Sequence, residues 1–247
     1  MLLVAKDVGD FTKSIHKISG APRTQEHLAN VNEKEKSQDL SELEGDKKST
    51  SLEKVSSDTT FPVIVDGPYG SFFTDLTQYR NVLLCGGGSG FTYCMSILED
   101  IVGEAAQGGR NITRNITVVW ALKEPDMIES FKPALANTVA IAQANKIKTV
   151  VKLFITSQSG KKINKNILPS SLVEFSTTRP DLGLIFNEVV DEQISNNLDG
   201  PSVGGLGIGV CGPVQMVDNM IEIVRRLDKD RFDRVGGVSL LSEKFGW

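Results

Sequence analysis

The sequence predicts an α/β fold: a mostly parallel, five-stranded sheet with helices on both faces. Three observations carry that expectation. Short apolar runs of strand length alternate with longer segments of helical periodicity, the pattern of repeated right-handed βαβ units. A cluster of glycines joins the first such strand to the first helix. The composition, 40% hydrophobic and 23% charged over 247 residues, supplies apolar material for one sizeable core.

Residues 1–20 hold a short apolar start and then Phe11-Thr12-Lys13-Ser14-Ile15. Residues 21–60 are rich in Glu, Lys, Ser, Asp and Thr and contain no Phe, Tyr or Trp. Such a stretch cannot bury enough surface to offset its ordering entropy, so a disordered insertion is expected there. From Phe61 the chain reads as one globular domain, 61–247. Phe61-Pro62-Val63-Ile64-Val65 is extended. Residues 81–85 (NVLLC) form a buried strand that runs into the glycines. A helix spans 91–106, with Met95, Leu98, Ile101 and Val102 on one face. Residues 115–122 (NITVVWAL) are a second strand, and Pro125 opens a helix to about residue 145. A third strand covers 149–156. After a polar loop, Arg179-Pro180-Asp181 leads a helix to about residue 197. A fourth strand spans 205–211, Pro213 opens the next helix, and 235–241 is the final strand.

Several function classes are excluded at this level. A net charge of -4 argues against nucleic-acid binding, although local amides can still hold an anion. Three cysteines without a close-spaced pair suggest a reducing compartment. The two histidines, His16 and His27, stand near the N-terminus, so no metal or haem site is expected within this chain. No apolar run reaches the ~20 residues that span a bilayer, and the opening residues do not read as a signal peptide, so the chain itself is expected to be soluble. Asn111-Ile112-Thr113 and Asn115-Ile116-Thr117 match a glycosylation pattern, which is accidental in a cytosolic chain.

The strongest local signal is Cys85-Gly86-Gly87-Gly88-Ser89-Gly90-Phe91-Thr92, between a strand and a helix. Glycines let backbone amides approach a ligand with no Cβ in the way, and the helix start beyond adds free N–H groups and a favourable dipole for phosphate. Thr92 adds a hydroxyl. The segment is neither G-x-G-x-x-G, because Phe91 takes the last glycine's place, nor a P-loop, because no Gly-Lys-Ser/Thr follows. Two further turns flank the same region, Asp66-Gly67-Pro68-Tyr69-Gly70-Ser71 and Cys211-Gly212-Pro213. The latter sits at the carboxyl end of a strand, where open α/β sheets place ligands. Each turn alone is equally what a structural punctuation mark looks like.

Together these residues resemble the ferredoxin–NADP reductase superfamily, and within it the fungal ferric reductases and NADPH oxidases. The resemblance covers residues 61–247 and extends to 1–20. It assigns Gly67, Pro68, Tyr69 and Gly70 to the segment after the flavin barrel. Gly86, Gly87, Gly88, Ser89, Gly90 and Thr92 correspond to the pyrophosphate loop, and Cys211, Gly212 and Pro213 to the motif beside the nicotinamide. Trp120-Ala121-Leu122-Lys123-Glu124 and Thr178-Arg179-Pro180-Asp181 resemble the branch's segments around the adenosine ribose, with Thr178 where Gly is usual. Lys123 and Arg179 then meet the 2′-phosphate, a point charge and a planar fork for a dianion. An aromatic near the chain end covers the flavin in this superfamily, which implicates Phe245 or Trp247. The resemblance further implies NADPH as this chain's cofactor, with FAD and haem carried by other parts of a membrane reductase. It implies that residues 1–20 are a remnant of the FAD-binding barrel, and that the parent works at the cytoplasmic face of a membrane. The alternatives are an oxidase fragment, or an interaction module that kept the fold and lost the cofactor, for which Phe91 and Thr178 speak.

Overall fold

The computed structural model describes residues 74–156, 172–196 and 204–245. The expectations for residues 1–20 and 21–60, for the extended segment at 61–65, for Gly67 to Gly70 and for Trp247 lie outside these described residues. The chain divides into two units, Met1–Gly70 and Ser71–Trp247, and every described residue belongs to the second.

The sheet is six-stranded and parallel. Its strands are β1 (Asn81–Gly87), β2 (Asn115–Leu122), β3 (Lys148–Ile155), β4 (Val173–Ser176), β5 (Leu206–Pro213) and β6 (Val238–Phe245), in the spatial order β4-β3-β2-β1-β5-β6. The helices are α1 (Phe91–Ala106), α2 (Asp126–Ala144), α3 (Leu182–Ser195), α4 (Val214–Arg225) and α5 (Lys229–Val235). Every strand pair is parallel, so each connection must cross over a face of the sheet. β1 is central and buried at every position, which is why its sequence after Asn81 is an unbroken apolar and glycine run without alternation.

Side chains alternate between two cores. Val82 and Leu84 of β1 join Val118, Trp120 and Leu122 of β2 beneath α1 and α2. Leu83 and Cys85 join Ile208 and Val210 of β5 beneath α3 and α4. The expected α1 face of Met95, Leu98, Ile101 and Val102 is buried in the first of these cores. At its centre Phe91 stacks on Trp120, with ring centroids 4.0 Å apart and planes 9° from parallel. Phe131 of α2 meets both rings edge-on, at 5.2 and 5.4 Å.

Two expectations are corrected in detail. The sheet has a sixth strand, β4, inside what reads as a polar loop. It is four residues long with one neighbour, and only Val173 of it is buried, so it leaves almost no apolar signature. Lys152 of β3 bridges Glu174 of β4 at 2.9 Å and Glu188 of α3 at 3.1 Å, tying this edge to the helix above it. The final strand covers Val238–Phe245, not 235–241, because Val235 ends α5. Gly236 and Gly237, with φ of 85° and 94°, stop the helix and release the strand. The helix opened by Pro213 is α4, as expected, and a further short helix, α5, follows it, started by Asp228, whose carboxylate accepts the N–H of Arg231 at 2.9 Å.

Both Asn-x-Thr segments are tied into the fold. The Asn111 amide donates to the Ile101 carbonyl at 2.5 Å and the Asn115 amide to Asn81 Oδ1 at 2.6 Å. Among the described residues, no helix is long and apolar enough to cross a membrane.

Candidate functional site

The site forms where strand order reverses. β1 is followed by α1 on one face, and its neighbour β5 by α4 on the other. The chain therefore leaves the carboxyl ends of β1 and β5 in opposite directions and opens a crevice between them. Both glycine-containing motifs end here. Gly86 pairs with Cys211 in the register, which sets Gly87 beside Gly212. A Cβ on Gly87 would lie 2.8 Å from Cδ of Pro213 and 2.9 Å from Sδ of Met216. A Cβ on Gly86 would lie 2.9 Å from Cα of Phe91, so this glycine seats α1 against the sheet.

Gly88 differs from both. It has a φ of +54°, and a Cβ there would meet nothing within 4 Å. Gly88–Gly90 form a 3-10 turn that runs directly into α1. The carbonyls of this turn are occupied from below. Trp120 Nε1 donates to the Gly88 carbonyl at 3.0 Å, and the Phe91 N–H is shared between the carbonyls of Gly88 and Ser89. Thr92 Oγ1 donates to the Ser89 carbonyl at 3.0 Å, so its single proton is already engaged. Ser89 and Thr92 are exposed, and Gly90 is buried. The departure at Phe91 has a structural reason: its ring is fully buried against Trp120 and does not face the crevice.

The two basic residues leave the same end of the sheet. Lys123 follows the last residue of β2 and Arg179 follows β4, both exposed. β3 lies between their strands, so the strand ends stand about 10 Å apart. Thr178 is accommodated without glycine: its hydroxyl and that of Ser176 lie 2.9 Å apart, and its N–H points to Ser176 Oγ at 3.3 Å. Pro180 is half-buried, and Asp181 caps α3 by accepting the N–H of Leu184 at 2.9 Å.

Cys211 is 6% exposed, on the face of β5 that carries α1. Its register partner on β6 is Glu243. Burial, and then the Glu243 carboxylate, push the Cys211 thiol up to about 11. The same two causes, in the same order, raise the Tyr93 phenol. Tyr93 is half-buried at the start of α1 and stands over β5, where a Cβ on Gly209 would lie 3.6 Å from its ring. Cys211, Tyr93 and Glu243 thus lie near one another at the carboxyl end of β5. Neither Tyr93 nor Glu243 stands out in the sequence, because Tyr93 depends on the packing of α1 over β5 and Glu243 on the pairing of β5 with β6. Phe245 ends β6 opposite Pro213 in the register, and Lys244 is held to Asp218 of α4 at 2.6 Å.

The model for the ferric reductase NAD binding domain matches residues 79–225, more than half of the chain. A ferric/cupric reductase transmembrane component 2 of Schizosaccharomyces pombe is 27% identical over 132 residues, 52% of this chain and 22% of that protein. Ferric reduction oxidase 3 of Arabidopsis thaliana is 29% identical over 106 residues, 43% of this chain and 14% of the relative. Human dual oxidase 2 is 22% identical over 188 residues, 68% of this chain and 12% of the oxidase. The chain therefore spans only about a fifth, or less, of the length of these relatives.

Proposed function

The chain belongs to the family of ferric reductase NAD-binding domains, and from that premise we propose that it is the NADPH-binding module of a ferric-chelate reductase. Its task is to hold NADPH so that hydride passes to FAD, with onward transfer through haem to Fe(III). The observation that carries this is the seam of Gly87 against Gly212 and Pro213, which opens Gly88 to the crevice with no side chain in the way.

The fit to a dinucleotide is good on the residues present. Gly86, Gly87, Gly88, Ser89 and Gly90 would present backbone to the pyrophosphate, and Thr92 would reach it only by releasing Ser89. Lys123 and Arg179 would hold the 2′-phosphate, which selects NADPH over NADH. Cys211, with Gly212 and Pro213, would border the nicotinamide. Hydride transfer between dihydronicotinamide and flavin is the cofactors' own chemistry, and the chain contributes binding, aim and exclusion of water. Cys211 suits that role as a neutral, compact thiol, and burial together with the Glu243 carboxylate extends its protonated range toward about 11. Phe245 or Trp247 would cover the flavin ring, and Gly67, Pro68, Tyr69 and Gly70 would lie toward it. In this proposal FAD and haem are carried by other parts of a membrane protein, whose cytoplasmic face this chain occupies.

A second possibility, the dehydrogenase part of an NADPH oxidase, is supported by the 188-residue match to dual oxidase 2. The interaction-module alternative rests on the departures at Phe91 and Thr178, whose side chains lie against Trp120 and Ser176. The test is a calorimetric titration of the chain with NADPH, NADH and 2′,5′-ADP. Binding of the two 2′-phosphorylated ligands, with NADH much weaker, supports the NADPH module. Binding of none of the three overturns it.

A further inference from the structure

We infer that Trp120 is a positioning residue for the glycine turn: its indole N–H fixes the Gly88 carbonyl and thereby turns the amide of Ser89 toward the crevice. The inference rests on the NADPH reading above and adds a residue to which that reading gives no role.

In a trans peptide the C=O and the next residue's N–H lie in one plane and point in opposite directions. Whatever holds the Gly88 carbonyl inward therefore aims the Ser89 N–H outward. Trp120 Nε1 reaches that carbonyl at 3.0 Å from the neighbouring strand. Gly88 most needs such a hold, because at a φ of +54° a glycine can exchange conformations at little cost. The same logic extends one peptide further. Thr92 Oγ1 and the Phe91 N–H hold the Ser89 carbonyl, which turns the Gly90 N–H the opposite way.

The donor itself is immobile. Trp120 is fully buried, stacked on Phe91 at 4.0 Å and braced edge-on by Phe131 at 5.4 Å. A buried indole needs some acceptor, and any nearby carbonyl would satisfy it. Here the acceptor is a carbonyl whose rotation would replace a crevice-facing N–H with a C=O. A side chain that binds no ligand atom thus sets the direction of the group that does.

The test compares the unmodified chain with Trp120→Phe, which keeps an aromatic ring and removes the N–H, and with Phe91→Leu, which removes the stack and keeps the N–H. Each is titrated with NADPH and with adenosine 2′-phosphate, which lacks the pyrophosphate, and each is melted. Trp120→Phe should raise the Kd for NADPH roughly fivefold while adenosine 2′-phosphate stays within about twofold. Phe91→Leu should lower Tm and leave the ratio of the two Kd values unchanged. Should Trp120→Phe not fold, the indole N–H resonance of Trp120 decides, assigned by its persistence in Trp247→Phe. A shift with NADPH but not with adenosine 2′-phosphate supports the inference, and no shift with either overturns it. Unchanged NADPH binding by Trp120→Phe, or equal weakening of both ligands, overturns it while the NADPH reading stands. If the unmodified chain binds no NADPH, both fall together.

Discussion

Gly87 of β1 and Gly212 of β5 lie back to back across the strand seam, so close that a Cβ on Gly212 would stand 3.3 Å from the Cα of Gly87. The contact brings the two glycine turns together at the carboxyl ends of β1 and β5. Gly87→Ala sets its methyl 2.8 Å from the Pro213 ring, which is fixed to the backbone and cannot swing aside. It should cost about 1–3 kcal/mol of stability and weaken NADPH binding at least tenfold. Gly212→Ala meets the Met216 thioether first, at 3.0 Å, and this flexible side chain can move. Its effect on both measurements should be the smaller. Denaturant midpoints and titrations of the pair check the order, and equal tolerance of both would count against a shared seam.

Gly103 gives the opposite expectation from the same geometry. It lies inside α1, and a Cβ there would meet nothing within 4 Å. Gly103→Ala should therefore stabilise the protein by about 0.5–1 kcal/mol through helix propensity alone. NADPH affinity should not change. A lower Tm for this variant would mean that α1 is held in a different setting.

Much of this fold is legible in the sequence because its strands are buried on both sides. Runs such as Val82-Leu83-Leu84-Cys85 carry a strong apolar signal wherever they occur, and a glycine cluster at the end of such a strand marks a tight turn, although the contact of Gly87 with Gly212 and Pro213 is visible only in the fold. What is not legible depends on pairing. β4 is an edge strand held by its pairing with β3 and by Lys152 of β3 reaching Glu174. Glu243 gains meaning only beside Cys211, once β6 is set next to β5. Gly236 and Gly237 sit inside a valine-flanked run that reads as strand, yet their positive φ marks a boundary. Phe91 looks like a damaged phosphate motif in one dimension, and three dimensions turn it toward Trp120.

The thiol of Cys211 predicts a loss of stability at high pH. Its folded value, about 11, lies above the ordinary 9.0, so the folded chain keeps a proton that the unfolded chain releases between them. The stabilisation is complete below pH ~9 and declines as pH rises toward the folded value. Cys85, raised to about 12 by burial, prolongs the same decline. Cys211→Ala should flatten the early part of the alkaline limb in a plot of unfolding free energy against pH. Glu243→Gln should flatten it too, though less, by removing the lesser of the two causes. A limb that neither variant alters would show that other groups govern alkaline unfolding.

Lys123 and Arg179 are the residues on which a preference for NADPH rests in this proposal, and both are exposed cations at strand ends. Exposed charges are screened, so each alone contributes modestly and more at low salt. Lys123→Ala and Arg179→Ala should each raise the Kd for NADPH, roughly tenfold at low ionic strength, and leave NADH binding nearly unchanged. Arg179→Lys should recover only part of the loss, because an ammonium cannot reproduce the planar fork on a phosphate dianion. The double variant should bring NADPH and NADH to similar affinity, since nothing else in the proposal reads the 2′-phosphate. Titrations at two salt concentrations check this: the gap between the two nucleotides should narrow as salt rises in the unmodified chain and be absent at both in the double variant. If NADH weakens in step with NADPH, the two cations act on the shared part of the nucleotide, and another group must read the 2′-phosphate.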